Sequence, residues 1–198
     1  MKETINKRSL NIEGIRIHLR PLQPSDVTDE YVEGLNDTEV NRYLVSVRQY
    51  RQTRDTVQDF VVSNLESPAS ILFGIFIRDH DTPLVGTVRV SEMDLFHYSA
   101  VVGICLFAKR AWKKGYACEA VRMVKDYLFE NRCFHYLEAG VYAENRDSIR
   151  LFTRAGFTEW FRVKSKYRHK DSFEEAIFFA AINPFFDLGQ LKEKTPLS

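Results

Sequence analysis

The hydrophobic pattern of residues 100–142 changes twice, and this double change constrains the fold more than any other feature of the sequence. Residues 100–107 form an apolar run with strand character, and residues 136–142 form another. Between them, after Gly115, apolar side chains recur three and four residues apart on one helical face, at Ala117, Ala120, Val121, Val124 and Leu128. Strand, helix and strand in succession predict a domain that combines helices with a sheet.

Similar patterns on both sides of this unit predict the remaining elements. Alternation at residues 12–20 predicts a strand that buries Ile15, Ile17 and Leu19. Capping residues and helical spacing predict helices at 26–35, at 37–44 and from Thr53 onward. The other predicted elements are strands at 71–77 and 84–90, a helix at 145–154 that ends at Gly156, and strands at 158–163 and 173–182. The predicted fold class is therefore α/β, with a mixed α+β sheet.

The composition of the chain favours one domain. With 198 residues and a hydrophobic fraction of 44%, the chain can bury a substantial core, and its aromatic residues are spread over the whole length. We predict a single domain at residues 1–183 and a loosely docked C-terminal tail at 184–198. The net charge of +1 provides no general attraction to nucleic acid or to an anionic membrane, so we expect neither as a partner.

The cysteines and the N-terminus indicate a reducing compartment. Cys105, Cys118 and Cys133 are odd in number and lack the paired spacing of a disulfide framework or a zinc site, so we expect reduced thiols and no metal. The first residues lack the apolar stretch of a signal peptide, and no apolar run reaches membrane-spanning length. We therefore expect a cytoplasmic protein.

Residues 112–120, Trp-Lys-Lys-Gly-Tyr-Ala-Cys-Glu-Ala, lie between a predicted strand and a predicted helix. The small residues Gly115 and Ala117 allow main-chain N–H groups at the helix N-terminus to approach an anion, and the helix dipole favours a phosphate there. A pyrophosphate cradle and a simple turn glycine both fit this stretch. A P-loop does not, because its ending Gly-Lys-Ser/Thr is absent.

A second informative stretch, residues 145–157, reads Asn-Arg-Asp-Ser-Ile-Arg-Leu-Phe-Thr-Arg-Ala-Gly-Phe. Asn145 is a good N-cap and Gly156 a good C-cap, so an ordinary helix also explains them. Helix capping explains only these two residues. The spacing of the other residues in the stretch, and its position after the first stretch, are therefore informative.

Together the two stretches resemble the GNAT acetyltransferase superfamily. The coenzyme A loop of this family reads Arg/Gln-x-x-Gly-x-Gly/Ala, which Gly115 and Ala117 match, and its second motif reads Asn-x-x-Ser/Ala-x-x-Leu-Tyr/Phe-x-x-x-Gly-Phe. Trp112 departs from the Arg/Gln position, and Lys113 departs from a frequent glycine. Residues 35–44, Leu-Asn-Asp-Thr-Glu-Val-Asn-Arg-Tyr-Leu, also resemble a segment of the ribosomal-protein-type and amino-sugar acetyltransferase branch.

The resemblance covers residues 12–182 and implies a fold, an activity and a cosubstrate. The implied GNAT fold has a central, mostly antiparallel sheet of about seven strands flanked by helices. The implied activity is transfer of acetyl from acetyl-coenzyme A to a primary amine by direct attack in a ternary complex. The implied coenzyme A site consists of Ile104, Cys105, Leu106, Phe107, Trp112, Lys113, Lys114, Gly115, Tyr116, Ala117, Asn145, Ser148 and Phe152.

Acetylation of an amine needs a proton acceptor for the ammonium and a proton donor for the departing thiolate. The resemblance places Phe152 where many relatives carry a tyrosine acid, so Ser148, one helical turn earlier, is the candidate donor. Val101 stands where some relatives carry a glutamate base. A water chain without a single base is one alternative, and the other is a group that we expect between two strands at the substrate end: Glu92, Asp94 or His97.

Five basic residues recur at every second position near the C-terminus: Arg162, Lys164, Lys166, Arg168 and Lys170. On a strand they would form one face, which is either a solvated surface or a site for an anionic acceptor such as a nucleotide-linked amino sugar. The alternative acceptor is the N-terminus of a protein. Two further alternatives for the function are a non-catalytic acyl-coenzyme A sensor and a nucleic-acid-binding protein. A homodimer is compatible with the sequence.

Overall fold

The computed structural model describes residues 7–45, 47–78, 81, 83–169 and 171–189. The helices in this part of the chain are α1 (Asp29–Asn36), α2 (Arg54–Glu66), α3 (Tyr116–Asn131) and α4 (Arg146–Arg154). The strands are β1 (Ile12–Glu13), β2 (Ile17–Pro21), β3 (Ile71–Ile77), β4 (Leu84–Asp94), β5 (Ser99–Cys105), β6 (Tyr136–Tyr142), β7 (Thr158–His169) and β8 (Ser172–Ile182).

The strands form one sheet in the order β1-β2-β3-β4-β5-β6-β8-β7. All neighbours are antiparallel except β5 and β6, which are parallel. The parallel pair arises because α3 carries the chain from the end of β5 back to the start of β6. The predicted fold class, a mixed and mostly antiparallel sheet flanked by helices, is confirmed, with eight strands in the described residues instead of about seven.

The helices cover both faces of the sheet. On one face, Arg89 of β4 donates its Nε–H to Asn64 Oδ1 of α2 at 3.0 Å. On the other face, the ring of Phe152 in α4 stacks on Phe179 of β8 with 6.2 Å between centroids, and α3 packs beside α4. We call these the α1–α2 face and the α3–α4 face. None of the helices in the described part of the chain is long and apolar enough to cross a membrane.

The segment 12–20, predicted as one strand, instead forms the hairpin of β1 and β2. Gly14 donates its main-chain N–H to the Ile17 carbonyl at 2.9 Å and closes the turn. Ile17 and Leu19 are buried as predicted, but Ile15 at the turn is 93% exposed. An alternating pattern shows which residues share a face only while the strand continues, so it cannot reveal a tight turn within it.

Two other boundaries differ because local hydrogen bonds decide them. Helix α1 begins at Asp29 rather than near residue 26, since Thr28 Oγ1 accepts the Tyr31 N–H at 3.2 Å. The predicted helix at 37–44 is a series of turns that contains only a short 3₁₀ segment, Asn41–Tyr43. By contrast, α2 starts after Thr53, as predicted.

The predicted tail at 184–198 is described as far as residue 189; residues 190–198 lie outside the described part. Within the described portion, the ring of Phe186 lies 4.8 Å from His135 and 5.3 Å from Tyr98. This aromatic contact holds the first residues of the tail against the start of β5 and β6.

Candidate active site

The parallel pair β5–β6 separates towards its C-terminal end. Its ladder joins residues 99–101 to residues 136–138 and ends at the Val101–Glu138 pair. Beyond that rung, β5 stays paired with β4 and β6 stays paired with β8. Residues 102–105 and 139–142 therefore line a gap in the sheet, which we call the strand cleft. Within the described sheet their facing main-chain groups have no ladder partner, so they can pair with an extended ligand chain.

The chain leaves the strand cleft and enters α3 through two left-handed residues. Lys113 has a φ of 60°, and Gly115, the N-cap, has a φ of 85°. The first N–H groups of a helix lack intrahelical acceptors, and the helix dipole adds partial positive charge there. Gly115 has no side chain that could cap them, so the first turn, which begins at Tyr116 and Ala117, can receive an anion. This geometry fits a diphosphate.

Arg16, in the turn between β1 and β2, adds a positive side chain to the start of α3. Its Nη1–H donates to the Lys114 carbonyl at 2.8 Å, and its Nε–H donates to Glu119 Oε2 at 2.8 Å. The guanidinium also lies 5.2 Å from the centroid of the Tyr116 ring. Sequence reasoning did not identify Arg16, because nothing local signals that a hairpin turn about 100 positions away packs on this helix.

The loop between β5 and α3 is held by main-chain and core contacts. The indole Nε1–H of Trp112 donates to the Leu106 carbonyl at 2.8 Å, which closes the loop. The Phe107 ring is 2% exposed and stacks on Tyr31 of α1 at 4.4 Å. Of the residues expected at the coenzyme A site, Phe107 thus has its ring in the core, and only its main chain can reach the strand cleft.

Helix α4 starts beside the end of β6. The Asn145 side-chain oxygen accepts the Ser148 N–H at 3.2 Å, so its Nδ2 group is the part that can contact a ligand. Ser148 is half-buried in the first turn, next to the strand cleft. Phe152 is 3% exposed and packs against Phe157 and Phe179. The structure therefore places its ring in the core rather than at the surface of the cleft.

The family model of the acetyltransferase (GNAT) domain matches residues 16–158, which include the strand cleft and the starts of α3 and α4. The chain belongs to the GNAT family. It is similar to the uncharacterized N-acetyltransferase p20 of Bacillus licheniformis, with 30% identity over 151 residues, 75% of this chain and 82% of the relative. The chain is thus an N-acetyltransferase whose cosubstrate is acetyl-coenzyme A.

Two solved structures share this GNAT fold at low sequence identity. Spermidine N-acetyltransferase from Vibrio cholerae, in complex with coenzyme A and spermine, has a TM-score of 0.75 and 20% identity over 85% of this chain and 96% of its own. RimL, a ribosomal L7/L12 α-N-protein acetyltransferase in complex with coenzyme A, has a TM-score of 0.78 and 14% identity over 87% of this chain and 98% of its own. At such identity the likeness concerns the fold.

On the α1–α2 face, three tyrosine side chains border the cleft of this GNAT chain. The Tyr142 ring lies 5.3 Å from Tyr43 and 4.7 Å from Tyr167. Arg48 donates its Nη2–H to the Tyr142 hydroxyl at 3.0 Å, and that hydroxyl donates to the Arg168 carbonyl at 3.1 Å. The connection between α1 and α2 and the β7–β8 hairpin thus meet at the end of β6. Sequence reasoning missed this group because its members come from three distant segments.

Two of the candidate bases, Asp94 and His97, lie at the other end of β5. Asp94 is opposite Ser99, the first residue of β5, whereas the cleft lies at its last residues. A strand advances about 3.3 Å per residue, so roughly 20 Å separates the two ends. The structure does not bring Asp94 and His97 together with the coenzyme A residues, whereas the exposed Glu92 follows Ser91, which is opposite Val101 where the cleft begins. The sequence indicated a turn between two strands but not the end of the sheet at which it lies.

Cys105 is the thiol nearest to the end of β5. Part of the residue is exposed at the cleft, but desolvation raises the pKa of its thiol to about 12. Only a thiolate is an effective nucleophile, so Cys105 stays protonated and unreactive at neutral pH. A covalent acetyl-cysteine is therefore not supported by this site.

The basic series near the C-terminus does not form one face. Strand β7 has an irregularity between Val163 and Tyr167, where extra residues oppose β8. Arg162 is opposite Ile177, whereas Lys166 Nζ lies 5.5 Å over the ring of Phe178. Since neighbouring residues of a strand point to opposite faces, these two cations lie on different sides of the sheet. Lys170, the last member, lies outside the described residues.

Proposed function

We propose that this chain acetylates a primary amine by direct attack of the amine on acetyl-coenzyme A in a ternary complex. The strand cleft carries the proposal, because it opens between β5 and β6 and joins the start of α3 to the tyrosine group on the α1–α2 face. A cosubstrate bound from the side of α3 and an amine bound from the other face would meet there. The protonated Cys105 thiol supports direct transfer over an acyl-enzyme.

The proposed coenzyme A contacts follow from the local geometry. Main-chain groups of Ile104, Cys105 and Leu106 pair with the amides of the pantetheine arm. The loop and helix start, formed by Trp112, Lys113, Lys114, Gly115, Tyr116 and Ala117, surround the diphosphate. Arg16 adds a charge-assisted contact. Asn145 Nδ2 donates to the pantetheine arm. Bound there, acetyl-coenzyme A supplies an activated acetyl thioester.

We propose Ser148 as the proton donor to the departing sulfur. It lies in the first turn of α4, and the residue is half-buried. Phe152, at the position of the family's tyrosine, has no proton to donate and is enclosed in the core. The other hydroxyl of α4, Thr153, lies in its last turn and donates to the Ile149 carbonyl at 2.9 Å, so Ser148 is the hydroxyl at the start of the helix for this role.

The residues near the cleft favour a cationic acceptor. On β7, Arg162 is paired with two carboxylates, Glu159 at 2.6 Å and Glu175 at 3.0 Å, so carboxylates outnumber the one guanidinium there and do not favour a phosphate. Arg42 and Arg48 lie over the rings of Tyr43 and Tyr142, at 5.0 and 5.5 Å from their centroids. The half-buried Tyr167 is therefore the ring of this group that we expect an ammonium to approach through its π-face. A polyamine or a peptide N-terminus fits this surface better than a nucleotide-linked amino sugar does. The two structural neighbours act on these two kinds of amine, according to their names.

The test is calorimetric titration with acetyl-coenzyme A, followed by thiol-release assays with spermidine, an N-terminal peptide, an aminoglycoside and a nucleotide-linked amino sugar. We expect binding and turnover with at least one of the first two amines. Binding without turnover on any amine supports the sensor alternative, and absence of binding overturns the assignment of the site. Steeply salt-dependent binding to an oligonucleotide supports the nucleic-acid alternative.

A further inference from the structure

The last rung of the β5–β6 ladder pairs Val101 with Glu138. Val101 carries no carboxylate, unlike the relatives that have a glutamate base at this position. Residues that are paired across neighbouring strands project on the same face, so Glu138 offers a carboxylate beside the vacant position. We propose that Glu138 is the base that takes the proton of the acceptor ammonium at the apex of the strand cleft. This inference rests on the proposed acetylation of an amine.

Contacts around Glu138 place its carboxylate on the α1–α2 face, where the tyrosine group lies. The Tyr136 hydroxyl, two residues earlier on the same face, donates to Glu138 Oε2 at 3.4 Å. Two residues later comes Gly140, and the Tyr167 hydroxyl lies 2.5 Å from the position that a Cβ on Gly140 would take. The absent side chain of Gly140 thus leaves room beside Glu138, and Tyr167 reaches into that room from β7.

Glu138 is half-buried and lies on the last rung of the ladder, where the cleft begins. The pKa of Tyr167 is raised by burial first, and by the nearby Tyr142 and Glu138. Tyr142 and Tyr167 are therefore neutral at pH 7 and are not anions that could take the proton of the ammonium. The titratable and charged groups around it are Tyr136 and Tyr142 on its own strand, Tyr167 on β7, Glu174 on β8 and Arg48 from the α1–α2 connection.

The reaction releases one proton, so it requires one proton acceptor. The ammonium loses one proton to the Glu138 carboxylate, and the nitrogen lone pair then forms the bond to the acetyl carbon. The carbon–sulfur bond breaks, and its electron pair leaves with sulfur. Sulfur takes a proton from Ser148, which is restored by the second proton of the nitrogen. Glu138 returns its proton to water, so the products are the amide, the thiol and one released proton.

The test compares Glu138→Gln with the unsubstituted chain, using whichever of spermidine or the N-terminal peptide gives turnover. Glutamine keeps the shape of the side chain and its acceptor oxygen but cannot take a proton. We expect kcat at pH 7 to fall about 10²-fold. We also expect the variant's kcat to rise about tenfold per pH unit towards the pKa of the amine, because only amine that is already neutral reacts. Acetyl-coenzyme A affinity stays unchanged.

Glu33→Gln, an exposed glutamate on α1, is the matched control, and its kcat and pH profile stay as in the unsubstituted chain. Glu138→Asp keeps the carboxylate, so it recovers part of the rate and the original pH profile. Equal kcat and equal pH profiles in Glu138→Gln and the unsubstituted chain would overturn the role of Glu138, with the proposed function intact. Loss of acetyl-coenzyme A binding by the unsubstituted chain would instead overturn the proposed function. Circular dichroism measures whether Glu138→Gln is folded. If it is unfolded, Glu138→Asp provides the test: a folded Asp variant without the pH profile of the unsubstituted chain overturns the inference.

Discussion

Arg16 and Gly115 are in close contact: Nη2 of Arg16 is 3.3 Å from the position that a Cβ atom on Gly115 would take. The hairpin turn thus holds a guanidinium over a glycine whose main chain starts α3. This contact combines two determinants of anion binding, a helix N-terminus and a guanidinium that Glu119 holds in place at 2.7 Å, although they are distant in the sequence.

Replacing Gly115 by alanine is expected to lower both stability and coenzyme A affinity. At a φ of 85°, a Cβ costs about 1–2 kcal/mol, and here it also presses on Arg16. For a chain of this size, thermal denaturation should show a Tm decrease of roughly 2–4 °C per kcal/mol. Gly103→Ala is the control for stability, since nothing lies within 4 Å of the added carbon. An unchanged Tm for Gly115→Ala would contradict the left-handed N-cap.

Arg16→Ala is expected to weaken coenzyme A binding about tenfold and to reduce its dependence on salt, because a charge-assisted hydrogen bond is lost. Calorimetry at two salt concentrations measures both effects. Arg78→Ala is the matched control: Arg78 forms an ion pair with Glu13 at 2.7 Å and is about as exposed as Arg16, at 48% against 49%. Equal losses in both variants would mean that Arg16 acts on folding rather than on the ligand.

Ser148→Ala is expected to lower kcat by up to about 10²-fold and to leave the KM for acetyl-coenzyme A unchanged, because the hydroxyl acts on the departing sulfur. Steady-state kinetics separate the two constants. Ser63→Ala on α2, where Ser63 donates to the Phe60 carbonyl at 2.8 Å, removes a helix hydroxyl away from the cleft and serves as control. A kcat equal to that of the control would remove Ser148 from the mechanism.

Phe152→Tyr is expected to destabilise the chain without raising kcat, although it restores the tyrosine that the family motif allows. The ring is 3% exposed between Phe157 and Phe179, so an added hydroxyl has no solvent and costs about 1–3 kcal/mol. Phe161→Tyr, on a ring that is 44% exposed, should leave Tm unchanged. A Phe152→Tyr variant with normal Tm and higher kcat would show that the cleft reaches this side chain.

Incubation with acetyl-coenzyme A in the absence of an added amine should leave no acetyl group on Cys105, which is the thiol at the end of β5. Burial keeps the pKa of Cys105 near 12, so at pH 7 its thiolate fraction is negligible. Intact-protein mass spectrometry checks this. An acetylated form that disappears when an amine is added would indicate a covalent intermediate and contradict direct transfer.

The motif segments could be predicted because local forces form them. Val121 and Val124 indicate the buried face of α3 by spacing alone, and Thr53 and Asn145 cap their helices through neighbours three residues away. The family resemblance rests on such locally determined segments, and it therefore predicts the correct fold and acetyl-coenzyme A as the cosubstrate.

What the sequence by itself determined was the order of the elements from α2 to β8, the two helix starts and the chemistry that they imply. Only the tertiary structure decided that Arg16 lies over Gly115, that Val101 is paired with Glu138, and that β7 separates Arg162 from Lys166. The physical reason is that strand register and the packing of a distant turn depend on contacts across the whole sheet. A pattern read along one segment contains no information about which partner residue lies opposite it.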